Sequence, residues 1–132
     1  MSGAGAAARE HSVDLRLATV PVRRDAIERA LAAELDRSER ATGIYAFNDE
    51  QALVALEVLR DRGVALPEAM ALIGCDDSPA AEQVRPRLTT VRFDDHGRWR
   101  EIARHLHAMI SGDGDYPEGT ASDPAVVAGE TT

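Results

Sequence analysis

Hydrophobic and polar positions along this chain form blocks that favour strands and helices in turn. An alternating, β-rich run predicts a strand over residues 13–20. Short, continuous apolar runs predict buried strands over 43–47, 70–74, 88–92 and 125–129. Most of these runs are flanked by Gly, Pro, Asn or Asp, which are the residues that commonly form turns.

Three longer stretches carry the periodicity of amphipathic helices. Residues 24–35 repeat an apolar residue every four positions, and residues 49–62 have a wide apolar face that ends at Gly63. The clearest pattern lies over 97–112, where apolar residues fall at i, i+3, i+4, i+7, i+10 and i+11, and Gly112 ends it. A short helical turn opens at Ser78-Pro79, and a polar loop covers 112–124.

The order of these elements predicts the fold class. Strands and helices alternate throughout, their connections are short, and the strands are uniformly apolar. This pattern indicates an open, parallel, doubly wound α/β sheet with right-handed crossovers. Residues 1–12 are small and polar, so we expect a disordered leader before a single domain over 13–132.

Composition removes several functions from consideration. The chain has 132 residues, a net charge of −8 and a pI of about 4.9, which argues against binding of nucleic acid or an anionic membrane by this chain itself. All 15 basic residues are Arg, so lysine chemistry is excluded. The single Cys75 permits neither an internal disulfide nor a cysteine zinc site. We find no membrane span and no secretory signal, and therefore expect a cytoplasmic protein.

Candidate ligand contacts, two polar and one aromatic, follow three of the predicted strands. Asn48 follows the first of these strands, Asp76 the second, and Phe93 the third. In open parallel sheets, ligands bind beyond the carboxyl ends of the strands. Asn48 is also a good helix cap with Gln51 three residues on, and the two roles are compatible. We expect Asp76 to need a partner because it lies near a buried strand end, and Asp77 to form a turn.

No motif for a cofactor, a metal or an enzyme accompanies these residues. The chain has no glycine-rich loop before a helix, which a nucleotide cofactor would need. A phosphorylated receiver domain would require a lysine beside its acidic pocket. His105 and His107 lie two apart on one helix and cannot share a metal. We therefore expect neither an enzyme nor a bound metal or cofactor.

A longer motif resembles the C-terminal part of the effector-binding domain in LacI/GalR transcription regulators. The family pattern is an apolar strand with Asn-Asp, a helix with Ala-Leu, Gly-x-x-x-Pro, apolar-Gly-x-Asp-Asp, and Pro-x-Leu-Thr-Thr-Val. The chain matches this pattern in order and in register, and the looser match covers roughly 115 residues. The matching residues are Asn48, Asp49, Ala52, Leu53, Gly63, Pro67, Gly74, Asp76, Asp77, Pro86, Leu88, Thr89, Thr90 and Val91.

The resemblance implies a partial C-terminal lobe of a periplasmic-binding-protein-like (type I) fold, which binds a small effector, most often a sugar. By position it implies ligand contacts from Asp76, which binds hydroxyl groups, and from Asn48. Phe93 replaces a Gln that is frequent in the family and offers an apolar face to a sugar ring. Leu53 and Val84 are implied to lie at a homodimer interface.

The resemblance also draws attention to parts of relatives that this chain does not match. Relatives bind DNA through an N-terminal helix-turn-helix, and this chain has no candidate recognition helix. In relatives the helix matching 97–112 packs on the N-terminal lobe. Burying each large apolar side chain on this helix contributes about 1.5–3 kcal/mol. We therefore predict that it packs on the chain's own sheet or on a second copy, through Trp99, Ile102, Leu106, Met109 and Ile110.

The leading hypothesis is thus a sugar-sensing domain of a LacI-type regulator. Two alternatives with the same fold stay open: a sugar-binding protein, and a vestigial dimerisation module without regulatory activity. Binding of a sugar separates the first two from the third, and a charged residue at Leu53 tests the dimer.

Overall fold

The computed structural model describes residues 3–93, 95–112 and 124–132. Within these ranges the chain forms five helices and four strands. The predicted polar loop after residue 112, up to 123, and the side chain of Trp99 lie outside the described residues. The helices are α1 (Gly3–Glu10), α2 (Arg24–Leu35), α3 (Asp49–Asp61), α4 (Pro79–Gln83) and α5 (Asp95–Ser111); the strands are β1 (Gly43–Tyr45), β2 (Ala71–Cys75), β3 (Thr89–Arg92) and β4 (Ala125–Val127).

The four strands form one sheet in the order β1-β2-β3-β4, and the first three are parallel. This confirms the α/β class and the parallel core of the sheet. β4 differs from the expectation, since it runs antiparallel to β3 with Val126 opposite Val91. A parallel neighbour needs a crossover that returns the chain to the other end of the sheet. The chain instead re-enters the sheet beside Arg92, where β3 ends.

The hydrophobic core lies between α2, α3 and one face of the sheet. α3 packs on both α2 and β2. As its periodicity predicts, α2 buries Ile27 and Leu31. The core consists of Ile27, Leu31, Ala46, Ala52, Ala55, Leu56, Val58, Leu59, Met70, Leu72, Ala81 and Leu88.

Both long helices that begin after residue 48 end at glycines with positive φ, as the sequence predicts. Gly63 has φ 69° after α3, and Gly112 has φ 73° after α5. This left-handed conformation carries no steric cost for glycine and stops a helix.

The predicted strand over 13–20 is wrong, because these residues run without strand pairing. A strand needs a neighbour for its backbone hydrogen bonds. The edge strand β1 pairs only with β2 in the described part of the chain, so 13–20 has no partner there. The apolar side chains of Val13, Leu15 and Leu17 are consequently exposed.

The first residues also differ from the expected disordered leader. Residues Gly3–Glu10 form the helix α1. The segment contains four alanines, GAGAAARE, and alanine has the highest helix propensity of all residues.

Most of the described side chains of helix α5 are exposed. Leu106, Met109 and Ile110 are 54%, 64% and 84% exposed. The expectation that this helix packs on the chain's own sheet is therefore wrong for its described side chains. Its amphipathic pattern fixes the helix but cannot fix what the apolar face contacts, so packing on a second copy stays a prediction.

Gly129 shows how closely the C-terminal tail approaches the sheet. A Cβ there would lie 2.5 Å from the Leu88 carbonyl carbon and 2.6 Å from the Thr89 nitrogen. No side chain fits at that distance from backbone atoms, so only glycine is compatible with this path of the tail.

Candidate functional site

The site candidates lie at one edge of the sheet. Asn48 follows β1, Asp76 follows β2 directly, and Phe93 follows β3 directly. The three strands are adjacent and parallel, so their carboxyl ends meet at the same edge. The structure thus brings these residues to a common edge.

Asn48 is the N-cap of α3. Its Oδ1 accepts a hydrogen bond from the Gln51 backbone N–H at 2.9 Å, and its backbone is extended, as a cap requires. The capping role is therefore confirmed. The side-chain nitrogen of Asn48 has no hydrogen-bond partner in the ranges that the structure covers, and the residue is only half-buried. The cap uses the oxygen of this amide as an acceptor and leaves its nitrogen available to donate to another group.

Asp49 has a different environment from Asn48, and the sequence did not reveal it. Its carboxylate is buried, 2% exposed, and accepts hydrogen bonds from Thr90 Oγ1 at 2.6 Å and the Ser78 backbone N–H at 2.7 Å. A Cβ at Gly74, which is paired with Thr90, would overlap this carboxylate. Asp49 also starts α3, where a negative charge is favourable. Asp49 therefore ties α3 to the ends of β2 and β3.

Asp76 is exposed, and this corrects the expectation that its carboxylate needs a partner near the buried strand end. β2 ends at Cys75, and the backbone turns at Asp76 with φ 110° and at Asp77 with φ 50°. Because of this turn, the Asp76 side chain does not continue the buried positions at the end of β2. Positive φ is uncommon for residues other than glycine, and such conformations cluster at functional sites.

Asp77 forms the turn that the sequence predicts. Its backbone N–H donates to Thr90 Oγ1 at 3.2 Å, and its carboxylate accepts from Arg92 Nη1 at 3.3 Å. The neighbouring carboxylate of Asp76 accepts no hydrogen bond within the described residues. Of the two carboxylates, Asp76 is therefore the one that can accept bonds from a ligand.

Three aromatic side chains lie at or after the strand ends at this edge of the sheet. Phe93 is 37% exposed at the end of β3, and Phe47 is 80% exposed beyond β1. Tyr45 was not singled out from the sequence, yet its hydroxyl contacts Cys75 and lies near Asp76. Partial burial of the hydroxyl, its hydrogen bond with Cys75, and the negative charge of Asp76 raise the pKa of Tyr45. The phenol therefore stays neutral.

The two interface candidates lie on or next to helices rather than on strands. Leu53 is on α3 and Val84 directly follows α4; both are partly buried and pack against the core. α3 and α4 contact each other. Each of the two side chains thus keeps some surface for a further contact.

Two negative findings concern the described ranges alone. They contain no group of three or more His, Cys, Asp or Glu side chains arranged to hold a metal ion. None of their helices combines the length and apolarity that crossing a membrane requires.

Comparison with known proteins assigns the fold to a class. Residues 1–132 match the family described as the periplasmic binding protein-like domain. Among solved structures, a LacI-family transcriptional regulator from Sanguibacter keddieii is 30% identical, with a TM-score of 0.76 over 96% of this chain and 50% of that chain. The CelR–cellobiose complex is 28% identical, with a TM-score of 0.80 over 96% of this chain and 40% of that chain. A LacI-family regulator from Arthrobacter sp. FB24 in complex with lactose is 29% identical, with a TM-score of 0.78 over 97% of this chain and 48% of that chain.

Curated proteins give the same relationship. The HTH-type transcriptional regulator GalS of Salmonella typhimurium is 42% identical over 66 residues, which are 50% of this chain and 19% of that protein. The HTH-type transcriptional regulator CelR of Thermobifida fusca is 38% identical over 88 residues, which are 67% of this chain and 26% of that protein. The chain belongs to the periplasmic binding protein-like domain family and matches part of the effector-binding domain of LacI/GalR-type regulators.

Proposed function

We propose that this chain is an effector-sensing part of a LacI-type transcription regulator and that its effector is a sugar. The observation that carries the proposal is the carboxylate of Asp76 at the carboxyl edge of the sheet, which is exposed and has no partner among the residues that the structure describes. Carboxylates accept hydrogen bonds from hydroxyl groups, and two hydroxyls can share one carboxylate. Relatives with cellobiose and lactose bound support a sugar as the ligand class.

Asn48 and Phe93 complete the proposed contact with the sugar. The Asn48 side-chain nitrogen donates to a sugar oxygen while its Oδ1 keeps the helix cap. Phe93 covers an apolar face of the ring, because the CH groups of a sugar ring form an apolar surface. A Gln at this position would offer hydrogen bonds instead, so Phe93 favours a ligand with a less polar face.

The regulatory part of the proposal rests on the relatives named HTH-type transcriptional regulators. DNA contact requires a basic surface, and this chain has a net charge of −8. We therefore propose that the chain senses the effector and does not itself bind DNA, and that it is neither an enzyme nor a metal protein. A transcription regulator acts where the DNA is, so we propose that it works in the cytoplasm. Leu53 and Val84 are proposed to contact a second copy.

The test is calorimetric titration of the full chain with a sugar panel: glucose, galactose, arabinose, cellobiose and lactose. We expect at least one sugar to bind. The variant Asp76→Asn keeps the shape but removes the charge, and we expect it to weaken binding at least 10-fold, which corresponds to about 1.4 kcal/mol. Glu68→Gln is the matched control, because Glu68 is an exposed acid that precedes β2 at the opposite end of the strand.

The outcomes separate the proposed function from its alternatives. Binding that Asp76→Asn and Glu68→Gln weaken equally would contradict the proposed site. No binding of any sugar by the folded protein would contradict the sensing function and leave a dimerisation module of the same fold. A Leu53→Arg variant whose oligomeric state matches the wild type would remove Leu53 from the proposed interface.

A further inference from the structure

The turn that carries Asp76 is bound to β3 through two consecutive backbone N–H groups. The Asp76 N–H donates to the Val91 carbonyl at 2.9 Å, whereas the Asp77 N–H donates to a side chain, Thr90 Oγ1, at 3.2 Å. Both residues of the turn have positive φ, at 110° and 50°. Residues other than glycine keep such a conformation only where the surrounding structure holds it. The bond from Asp77 to Thr90 therefore helps to fix the backbone at Asp76.

The hydroxyl of Thr90 accepts this bond because Asp49 determines its orientation. Thr90 is 1% exposed, and its O–H donates to Asp49 Oδ1 at 2.6 Å. A hydroxyl has one hydrogen and two lone pairs. Since the hydrogen is directed at the carboxylate, the lone pairs of Thr90 are left to accept the Asp77 N–H. Asp49 thus acts on Asp77 through Thr90, although no hydrogen bond joins Asp49 to Asp77 in the described part of the chain.

The second oxygen of the Asp49 carboxylate binds the end of the same turn. Asp49 Oδ2 accepts a hydrogen bond from the Ser78 backbone N–H at 2.7 Å. The carboxylate is 2% exposed, and a hydrogen bond is electrostatically stronger in a buried environment than in water. Asp49 therefore holds the two consecutive donors that follow Asp76, one of them through Thr90 and the other directly.

Gly74 provides the space for this carboxylate. A Cβ at Gly74 would overlap Asp49 Oδ1, and Gly74 is the partner of Thr90 in the pairing of β2 with β3. Gly74 is not among the glycines with positive φ, so this position requires a glycine for space and not for its conformation. The absence of a side chain at Gly74 lets a carboxylate from α3 reach Thr90.

The two polar contacts of the proposed effector site lie on either side of Asp49. Asn48 precedes Asp49 in the chain and caps α3, while Asp76 lies on the turn that Asp49 holds. Both contacts lie beyond the ends of β1 and β2, so the pairing of these strands does not by itself fix one relative to the other. The Asp49 carboxylate supplies a connection between them at that edge.

We propose that Asp49 is a positioning residue of the effector site, which fixes the turn carrying Asp76 relative to Asn48. This inference rests on the proposed function, since Asn48 and Asp76 are the ligand contacts assigned there. Asp49 is buried and does not contact the effector. It acts through the Thr90 hydroxyl and the Ser78 N–H.

The first measurement needs no ligand and follows backbone amide hydrogen exchange in the full chain by NMR. Thr90→Val keeps the shape of the side chain and removes the hydroxyl, so we expect the Asp77 amide to exchange at least about 5-fold faster. Asp49→Ala should accelerate the Asp77 and Ser78 amides together, although it is bonded only to the second. Thr90→Ser keeps the hydroxyl and should restore wild-type exchange. Thr90→Val keeps the first residue of α3, so the test does not depend on a folded Asp49→Ala.

Thr89→Val is the matched control. Thr89 is the neighbour of Thr90 on β3 and is also 1% exposed. Its hydroxyl has two partners in the C-terminal tail, the Thr132 hydroxyl at 2.8 Å and the Gly129 N–H at 2.9 Å. The control loses the same group from the same strand without touching the turn, and it should leave exchange at Asp77 unchanged. Equal acceleration in the two valine variants, or none in Thr90→Val, would overturn the positioning role.

The second measurement is calorimetric titration of the folded variants with glucose, galactose, arabinose, cellobiose and lactose. For each sugar that the wild type binds, we expect Thr90→Val to weaken binding at least about 5-fold, and Thr90→Ser and Thr89→Val to stay within about 2-fold. Wild-type affinity in Thr90→Val would overturn the positioning role and leave the proposed function intact. Absence of binding of all five sugars by the wild type would overturn the proposed function and, with it, this role.

Discussion

Asn48 and Asp49 are neighbours in the chain, but their side chains have separate partners. Asn48 caps α3 through one oxygen, while Asp49 is buried and accepts bonds from Thr90 and Ser78. The cap could be predicted from sequence, because its partner Gln51 is only three residues away. The partners of Asp49 are 29 and 41 residues away in the chain. Local sequence contains no signal for contacts at that separation, so the role of Asp49 could not be predicted.

The first prediction at this scale concerns Asp49. Asp49→Ala removes the acceptor of both hydrogen bonds and leaves the Ser78 N–H and the Thr90 O–H without an acceptor. A lost hydrogen bond to a charged group costs about 1.5–3 kcal/mol, and unpaired buried groups add to this. We expect the free energy of unfolding in a urea titration to fall by about 2–4 kcal/mol.

Ser78→Ala is the control for Asp49→Ala. It keeps the backbone N–H that donates to Asp49 and removes a hydroxyl that is buried without a hydrogen-bond partner in the described residues. We expect the stability of this variant to equal or exceed that of the wild type. An Asp49→Ala protein as stable as Ser78→Ala would show that the buried carboxylate does not tie α3 to the sheet.

At the scale of helices and strands, the sequence predicts those features that depend only on residues close together in the chain. The bounds of α2 agree with the predicted 24–35, because both its periodicity and its ends are local. The strand over 13–20 and the direction of β4 depend on which strands lie next to each other, and a single run of apolar residues does not contain that information. The same limit applies to the candidate site. The position of Asn48, Asp76 and Phe93 at the carboxyl edge of the sheet could be predicted. The exposure of Asp76 and the position of the Tyr45 hydroxyl near Cys75 could not.

Helix α5 gives the prediction at this scale. Its apolar face is exposed in the single chain, and we predict that it packs on a second copy. In sedimentation at increasing protein concentration, the wild type should associate, and the double variant Leu106→Glu, Ile110→Glu should shift toward monomer. The physical reason is that each of these side chains gains about 1.5–3 kcal/mol on burial, which two carboxylates at the contact would remove.

Arg104→Glu is the matched control for α5. It changes the net charge by −2, as the double variant does, but lies on the opposite side of the helix from Leu106. Association should therefore persist in Arg104→Glu. A wild type that stays monomeric at all concentrations would contradict the prediction.

At the scale of the whole molecule, the C-terminal tail holds the sheet from the end opposite to the site. Thr131 is fully buried, and its hydroxyl donates to the Leu72 carbonyl at 2.7 Å and accepts from the Thr89 N–H at 2.9 Å. The Leu72 N–H donates to the Thr131 carbonyl at 2.8 Å. The tail thus joins β2 and β3 at the start of their parallel pairing, where Ile73 is the partner of Thr89. These two strands carry Asp76 and Phe93 at their other ends.

The last prediction follows from this arrangement. Thr131→Val preserves the volume of the side chain but leaves the Leu72 carbonyl and the Thr89 N–H without the hydroxyl. Since both groups are buried, we expect the free energy of unfolding to fall by about 2–3 kcal/mol. Thr132→Val, a control at the exposed next residue, loses only the partly buried hydrogen bond between the Thr132 and Thr89 hydroxyls at 2.8 Å, so the change should stay below about 1 kcal/mol. Hydrogen exchange should accelerate at the Thr89 amide in the first variant alone. If exchange at the Thr89 amide were unchanged, the Thr131 hydroxyl would not stabilise the pairing of β2 and β3. The spacing of Asp76 and Phe93 would then depend on α3 and Asp49 instead.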